Sequence, residues 1–160
     1  MSLTIPAFTL PAPLARIGRR LPQWPHAAAL CLALNAAARL GILPADELEA
    51  LEGKHFAVEV TDSGGIARFG VRNGWFVPDF AEVTPDLSFR AKLAAYLQLL
   101  NRQEDPDTLF FQRALVVEGD TELGLRVKNM LDAVDWNGLM ERLPVPFRRL
   151  VDSSTAIFRR

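Results

Sequence analysis

The 160-residue chain contains one cysteine, one tyrosine and two histidines, and has no apolar run long enough to cross a bilayer. Each scarcity removes a class of protein. Cys31 has no partner for a disulfide, and its Ala/Leu surroundings make it a small buried apolar residue in a reducing compartment. His26 and His55 stand without an HExxH, a paired CxxC or any other ligand spacing, so neither a zinc site nor any other bound metal or cofactor is expected. The longest apolar stretch, Ala27 to Ala38, is interrupted by Asn35 and bounded by His26 and Arg39. It falls short of the roughly 18 residues of a membrane span. Residues 1–25 lack a charged start followed by an apolar core, so no secretory signal is expected.

Net charge is small, −1, but unevenly spread. Residues 1–45 carry Arg16, Arg19, Arg20 and Arg39 and no acid, whereas residues 46–138 hold nine Lys/Arg against seventeen Asp/Glu. The last 22 residues are basic again, with five arginines against Glu141 and Asp152. An acidic body with basic, apolar-rich ends disfavours a nucleic-acid-binding domain and permits contact between the ends and an anionic membrane.

What the chain does have is apolar bulk, 49% of residues, in a length suited to one domain. Ten Phe against three Trp and one Tyr suit a dry interior, because a buried Phe needs no hydrogen-bond partner. Residues 1–25 carry five prolines among Leu, Ile, Phe and Trp, which reads as an extended, sticky arm with one short turn around Leu14–Arg20. A helix is expected from His26 to about Gly41, and a short one after Pro44, closed by Gly53. The period then changes to two. Phe56, Val58 and Val60 alternate with polar or small residues, as do Ala67, Phe69 and Val71. Asn73-Gly74 marks a tight hairpin into Trp75–Val77, and Asp86–Arg90 completes a four-stranded antiparallel meander. Helical patterns cover about Ala91–Arg102 and a turn after Asp105; Ala114–Glu118 is the last strand, and Asp120 caps a helix over Thr121–Val134. Together these predict an α+β domain, a five-stranded, mainly antiparallel sheet covered by helices, over residues 26–135, between the arm 1–25 and a tail 136–160.

Catalytic constellations are missing. There is no GxSxG, no GxGxxG or P-loop, and the glycines at 64, 65, 70 and 74 read as hairpin residues. Asp105, Asp107 and Asp120 stand at helix starts, where Asp serves as a cap. The sequence describes a protein that is not an enzyme.

One run carries more information. Asp105-Pro-Asp-Thr-Leu-Phe-Phe-Gln-Arg, continuing through Gly119-Asp-Thr-Glu-Leu-Gly-Leu to Leu131, resembles the sterol carrier protein 2 family, and within it a bacterial UbiT-like subgroup of ubiquinone biosynthesis factors. The resemblance covers about residues 40 to 135 and leaves the arm outside. It implies an apolar lipid tunnel between the sheet and its helices, and a non-catalytic lipid carrier. The implied cargo is an isoprenoid quinone precursor or another lipid such as phospholipid, carried in support of oxygen-independent ring hydroxylation. The implied partners are UbiU/UbiV-type hydroxylases and other ubiquinone biosynthesis proteins. Two positions depart from the family: Arg113-Ala114 stands where Gly-Lys is frequent, and Gly124 where Ala is usual. The peroxisomal tail of eukaryotic members is missing, so the expected location is the bacterial cytoplasm, with peripheral contact at the inner membrane.

Periodicity places Leu123, Val127, Met130 and Leu131 on one inward face, and the tunnel reading adds Leu97, Leu100, Phe110 and Phe111 as joint lining. The same residues would equally fill a solid core, and the chain would then be a module that docks hydroxylases without carrying lipid. In the tail, Phe147, Arg148, Arg149, Leu150, Phe158 and Arg159 mix apolar and cationic groups as an interfacial helix does, or pack back on the domain.

Overall fold

A computed structural model describes residues 6–20, 22–81, 83–100 and 102–134. The order is α1 (Ala12–Arg20), α2 (Gln23–Arg39), α3 (Ala45–Ala50), β1 (His55–Val60), β2 (Gly65–Arg72), β3 (Trp75–Pro78), β4 (Leu87–Ala91), α4 (Leu93–Leu100), α5 (Pro106–Phe111), β5 (Leu115–Gly119) and α6 (Thr121–Ala133). The five strands form one sheet in the order β3-β2-β1-β4-β5.

The N-terminal segment is more helical than its prolines suggest. Pro13 falls in the first turn of α1, and Pro22 and Pro25 fall at the cap and first turn of α2, so α2 begins at Gln23 rather than His26. The first backbone N–H groups of a helix have no intrahelical acceptor, so proline there removes nothing.

The register explains the apolar face. Phe56 lies opposite Phe69 and Leu87, and Val58 opposite Ala67 and Phe89, while Phe89 faces Val117 and Ala91 faces Leu115. Side chains alternate with period two, so all these residues share one side of the sheet. Glu59, Arg90 and Glu118 share the other and form a carboxylate–guanidinium–carboxylate chain. The hairpin at Asn73-Gly74 forms as expected. Both residues have positive φ, 52° and 72°, and Glu52 accepts hydrogen bonds from both backbone N–H groups. Edge strand β3 is tied to α2 by Asn35, whose side chain donates to Phe76 O at 2.8 Å and accepts from Phe76 N at 2.9 Å.

The antiparallel meander expected through the fourth strand ends after the third. β4 pairs with β1, and the pairing is parallel. The reason is β3's brevity: it stops at Pro78, level with Phe69 and therefore with Phe56 near the start of β1. From there, residues 79–86 need only pass the beginning of β1 to start β4 in the same direction. Polar bonds hold this crossing. Asp79 N donates to Arg68 O, Asp86 N donates to His55 O, His55 N donates to Asp86 Oδ2 at 2.7 Å, and His55 Nδ1 pairs with Asp79 Oδ2 at 2.5 Å.

Asp79 is buried, and its carboxylate accepts the Ala81 N–H at 3.0 Å. That bond, with the His55 contact, outweighs the cost of burial and holds Asp79 below its ordinary value of 3.8. A depressed acid stabilises the fold above its unfolded pKa, and the contribution disappears as pH falls through the lower folded value. Asp79→Asn is therefore expected to flatten the acid limb of a stability–pH curve and to cost about 1–3 kcal/mol at neutral pH, measured by urea unfolding. An acid limb unchanged in the variant would show that Asp79 plays no such role.

On the apolar face, α2, α3 and α6 supply Cys31, Leu48, Leu123, Val127 and Met130 to a cluster with Phe56, Phe69, Val71, Phe76 and Leu87. A smaller cluster joins Ala91, Ala95, Leu109 and Leu115 between α4, α5 and the β4–β5 edge.

Candidate functional site

The eight apolar residues expected to line one tunnel separate into two groups. Leu123, Val127 and Met130 are buried in the larger cluster, with Leu131 packed against it. Asp120 produces this, because its side chain accepts from Glu122 N and Leu123 N and sets the phase of α6. Leu97 is half-buried on α4, whereas Leu100, Phe110 and Phe111 point outward, Phe111 with 83% of its surface exposed. In α5 only Leu109 turns into the core, since six residues present one face. The tail residues Phe147, Arg148, Arg149, Leu150, Phe158 and Arg159 lie outside the described residues.

Two cavities open beside the N-terminal arm. The larger, about 630 Å³, lies among Ala7, Phe8 and Thr9 of the arm, Ala91, Ala94 and Ala95 at the β4–α4 junction, and Ala114 and Val116 at the start of β5. This volume is within the range of small-molecule sites. Its walls are largely small and apolar. Alanines at the β4–α4 corner leave the space that larger residues would fill, and Phe8 of the arm forms another part of the wall. Arg90, Lys92, Gln98 and Arg113 contribute the polar groups. Arg90 is neutralised by Glu59 and Glu118, while Lys92 Nζ donates to Thr9 Oγ1 at 3.1 Å. The site thus pairs an apolar wall with cationic groups.

A carboxylate adds to this hold on the arm. Asp62 Oδ2 accepts the Leu10 N–H at 3.0 Å, and Oδ1 accepts the Leu93 N–H at the start of α4 at 3.1 Å. A second cavity of about 330 Å³ is lined by Asp62, Thr9, Leu10 and residues of α1. Asp62, Lys92 and the arm residues were not among the expected site residues. Asp62 reads as a turn residue in Asp-Ser-Gly-Gly, and only the arm's apolar character signals that it lies against the domain.

Among the described residues, no three His, Cys, Asp or Glu side chains group closely enough to hold a metal ion. Tyr96 donates its hydroxyl to Glu59 O at 3.0 Å, and burial pushes its pKa upward, which keeps it a donor. Burial also pushes the Cys31 thiol up to about 11. Little thiolate forms at neutral pH, so Cys31 in the folded protein is expected to resist alkylation at pH 8 and to react once urea unfolds it. Rapid labelling under native conditions would contradict the buried placement of α2. No helix among the described residues is long and apolar enough to cross a membrane.

The structure is thus an α+β domain, a five-stranded mixed sheet with its helices on the apolar face and an arm-walled cavity at one edge. Residues 34–132 match the model of the SCP-2 sterol transfer family, and the chain belongs to that family. It is 43% identical over 105 residues to proteins described as ubiquinone biosynthesis accessory factor UbiT from Escherichia coli strains K12 and O157:H7. The match covers 66% of this chain and spans 58% of the length of those relatives. Among solved structures, a ubiquinone synthesis protein described as UbiJ-SCP2 superposes with a TM-score of 0.53 at 18% identity, covering 69% of this chain and 97% of that one. At that identity the likeness concerns the fold.

Proposed function

We propose that this protein is a non-catalytic accessory factor of ubiquinone biosynthesis that binds isoprenoid quinone precursors, or other lipids, in the arm-walled cavity. The observation that carries this reading is the 43% identity to UbiT, which extends over two thirds of the chain. The fold supports it with an apolar cavity whose size suits part of a prenyl chain, with the head group beside Lys92 and Arg113. UbiU/UbiV-type hydroxylases, acting without oxygen, are the proposed recipients. The outward Leu100, Phe110 and Phe111 and the half-buried Leu97 belong to the proposed lipid-contacting surface, and the tail around Phe147–Leu150 and Phe158–Arg159 to a proposed membrane contact. Leu123, Val127, Met130 and Leu131 take part only if the larger cluster opens.

That packed cluster favours a second reading, in which the domain docks the hydroxylases without cargo. Complementation tests the role itself. In a bacterium lacking its UbiT, this chain is expected to restore ubiquinone during growth without oxygen. Failure to restore it, with the protein present at normal levels, would overturn the proposal.

A further inference from the structure

We infer that the tip of α5 is a bilayer-docking wedge, with Phe110 and Phe111 entering the lipid interface and Arg113 meeting anionic headgroups. The helix is six residues long and firmly held. Asp105 caps it by accepting from Thr108 N and Thr108 Oγ1, Leu109 is buried beneath it, and Asp107 pairs with Lys128 of α6 at 2.9 Å. The two aromatic rings that follow have no such anchorage. Phe110 is 52% exposed and Phe111 83%, and they meet only edge to face, with centroids 6.1 Å apart. Adjacent outward rings on a rigid mount mark a surface that another phase covers.

Charge identifies that phase. Arg113, two residues beyond Phe111, is exposed, and its side chain has no ion-pair or hydrogen-bond partner among the described residues. Its φ of 58° is a conformation that favours glycine, yet an arginine occupies it. Of the acids in this segment, Asp107 is paired with Lys128, and Asp105 sits at the opposite, N-terminal end of the helix, where Thr108 donates to it. Aromatic rings beside an unpaired guanidinium match an anionic bilayer surface, where apolar burial and headgroup attraction act together. Arg113 also lines the 630 Å³ cavity together with Lys92 and Arg90, so docking through this tip brings the cavity to the headgroup layer. The surface is formed by residues 110–113 of the described chain.

The test is co-sedimentation of the full chain with phosphatidylcholine vesicles containing about a quarter phosphatidylglycerol. Phe111→Ser is expected to weaken partitioning about tenfold, and Phe110→Ser with Phe111→Ser to weaken it further. Arg113→Gly suits its backbone conformation and is expected to weaken binding about fivefold on these vesicles and hardly at all on pure phosphatidylcholine. Each variant is checked for an unchanged thermal unfolding curve, and the aromatic substitutions lie outside the core. Wild-type chain that stays in the supernatant overturns the inference. So does equal sedimentation of wild type and the double variant, which would place membrane contact elsewhere. Loss of binding to a hydroxylase with vesicle binding unchanged also overturns it and makes the tip a protein contact. Lipid occupancy of the cavity, measured by extraction, is a separate readout, so failure here does not imply failure of the lipid-binding proposal.

Discussion

Replacing Gly119 with alanine is expected to destabilise the protein by more than about 3 kcal/mol, a large part of the roughly 5–15 kcal/mol that holds a domain of this size together. Gly119 ends β5 with φ at 126°, a conformation that side chains rarely adopt. A Cβ there would lie well inside the 3.0 Å that real Cβ atoms keep from other atoms, and its obstacle is the Asp86 carbonyl oxygen. That carbonyl cannot easily move, because it accepts the Asp120 N–H at 2.8 Å. Asp86 is itself bonded to His55 through its backbone N–H and its side chain. A shift would therefore pass into the β1–β4 junction and the cap of α6 together. Gly41 is the control: its φ is 69°, but nothing lies within 4 Å of an added Cβ. Gly41→Ala should cost only about 1–2 kcal/mol. Urea unfolding of both variants measures the contrast. Equal, small losses would show that the β5–α6 junction is looser than described.

Asp62→Ala is expected to speed release of a bound lipid about tenfold, because this carboxylate joins the arm to the domain. It removes the acceptor of Leu10 N–H on the arm and of Leu93 N–H on α4 in one step. Hydrogen bonds to a charged partner contribute about 1.5–3 kcal/mol each, and part-burial puts these at the lower end. Losing the arm bond lowers the barrier to opening by about 1.4 kcal/mol, which is the tenfold effect. Asp62→Asn keeps one acceptor oxygen and should fall between alanine and wild type. Stopped-flow displacement of a fluorescent acyl or prenyl chain gives the rates, and hydrogen exchange at Leu10 reports the arm. Rates unchanged in a variant whose Leu10 amide has lost protection would mean that the arm does not gate the cavity.

Strand content was legible because period-two alternation is local: Phe56, Val58 and Val60, or Ala67, Phe69 and Val71, place themselves on one face without reference to anything distant. The Asn73-Gly74 turn and the Asp105 and Asp120 caps were legible for the same reason, since backbone conformation and side-chain length set them within four residues. The parallel pairing of β4 with β1 was not. It depends on where β3 stops relative to β1, and pairing partners in space leave no mark on alternation. The helix at Ala12–Arg20 was obscured by prolines, whose cost vanishes in a first turn.

The candidate site was legible as a set of apolar residues but not as an enclosure. Leu123, Val127 and Met130 have the helical spacing of a buried face, and spacing alone cannot distinguish a tunnel wall from a filled core. Phe110 and Phe111 have the composition of a core and the position of a surface. The difference arises because Leu109 takes the one inward direction that a six-residue helix offers. The arm cavity depends on contacts between Thr9–Leu10 and residues more than fifty positions away, Asp62 and Lys92, beyond the reach of any local pattern.

Native mass spectrometry of gently purified protein, with organic extraction of the same sample, tests the central claim most directly. The lipid-carrier reading predicts a prenylated phenol or quinone precursor bound at close to one per chain, displaced when a bulky Val116→Trp side chain occupies the cavity wall. Protein that is free of lipid, and stays so after incubation with a prenylated phenol, would contradict that reading and leave a domain that works by docking alone.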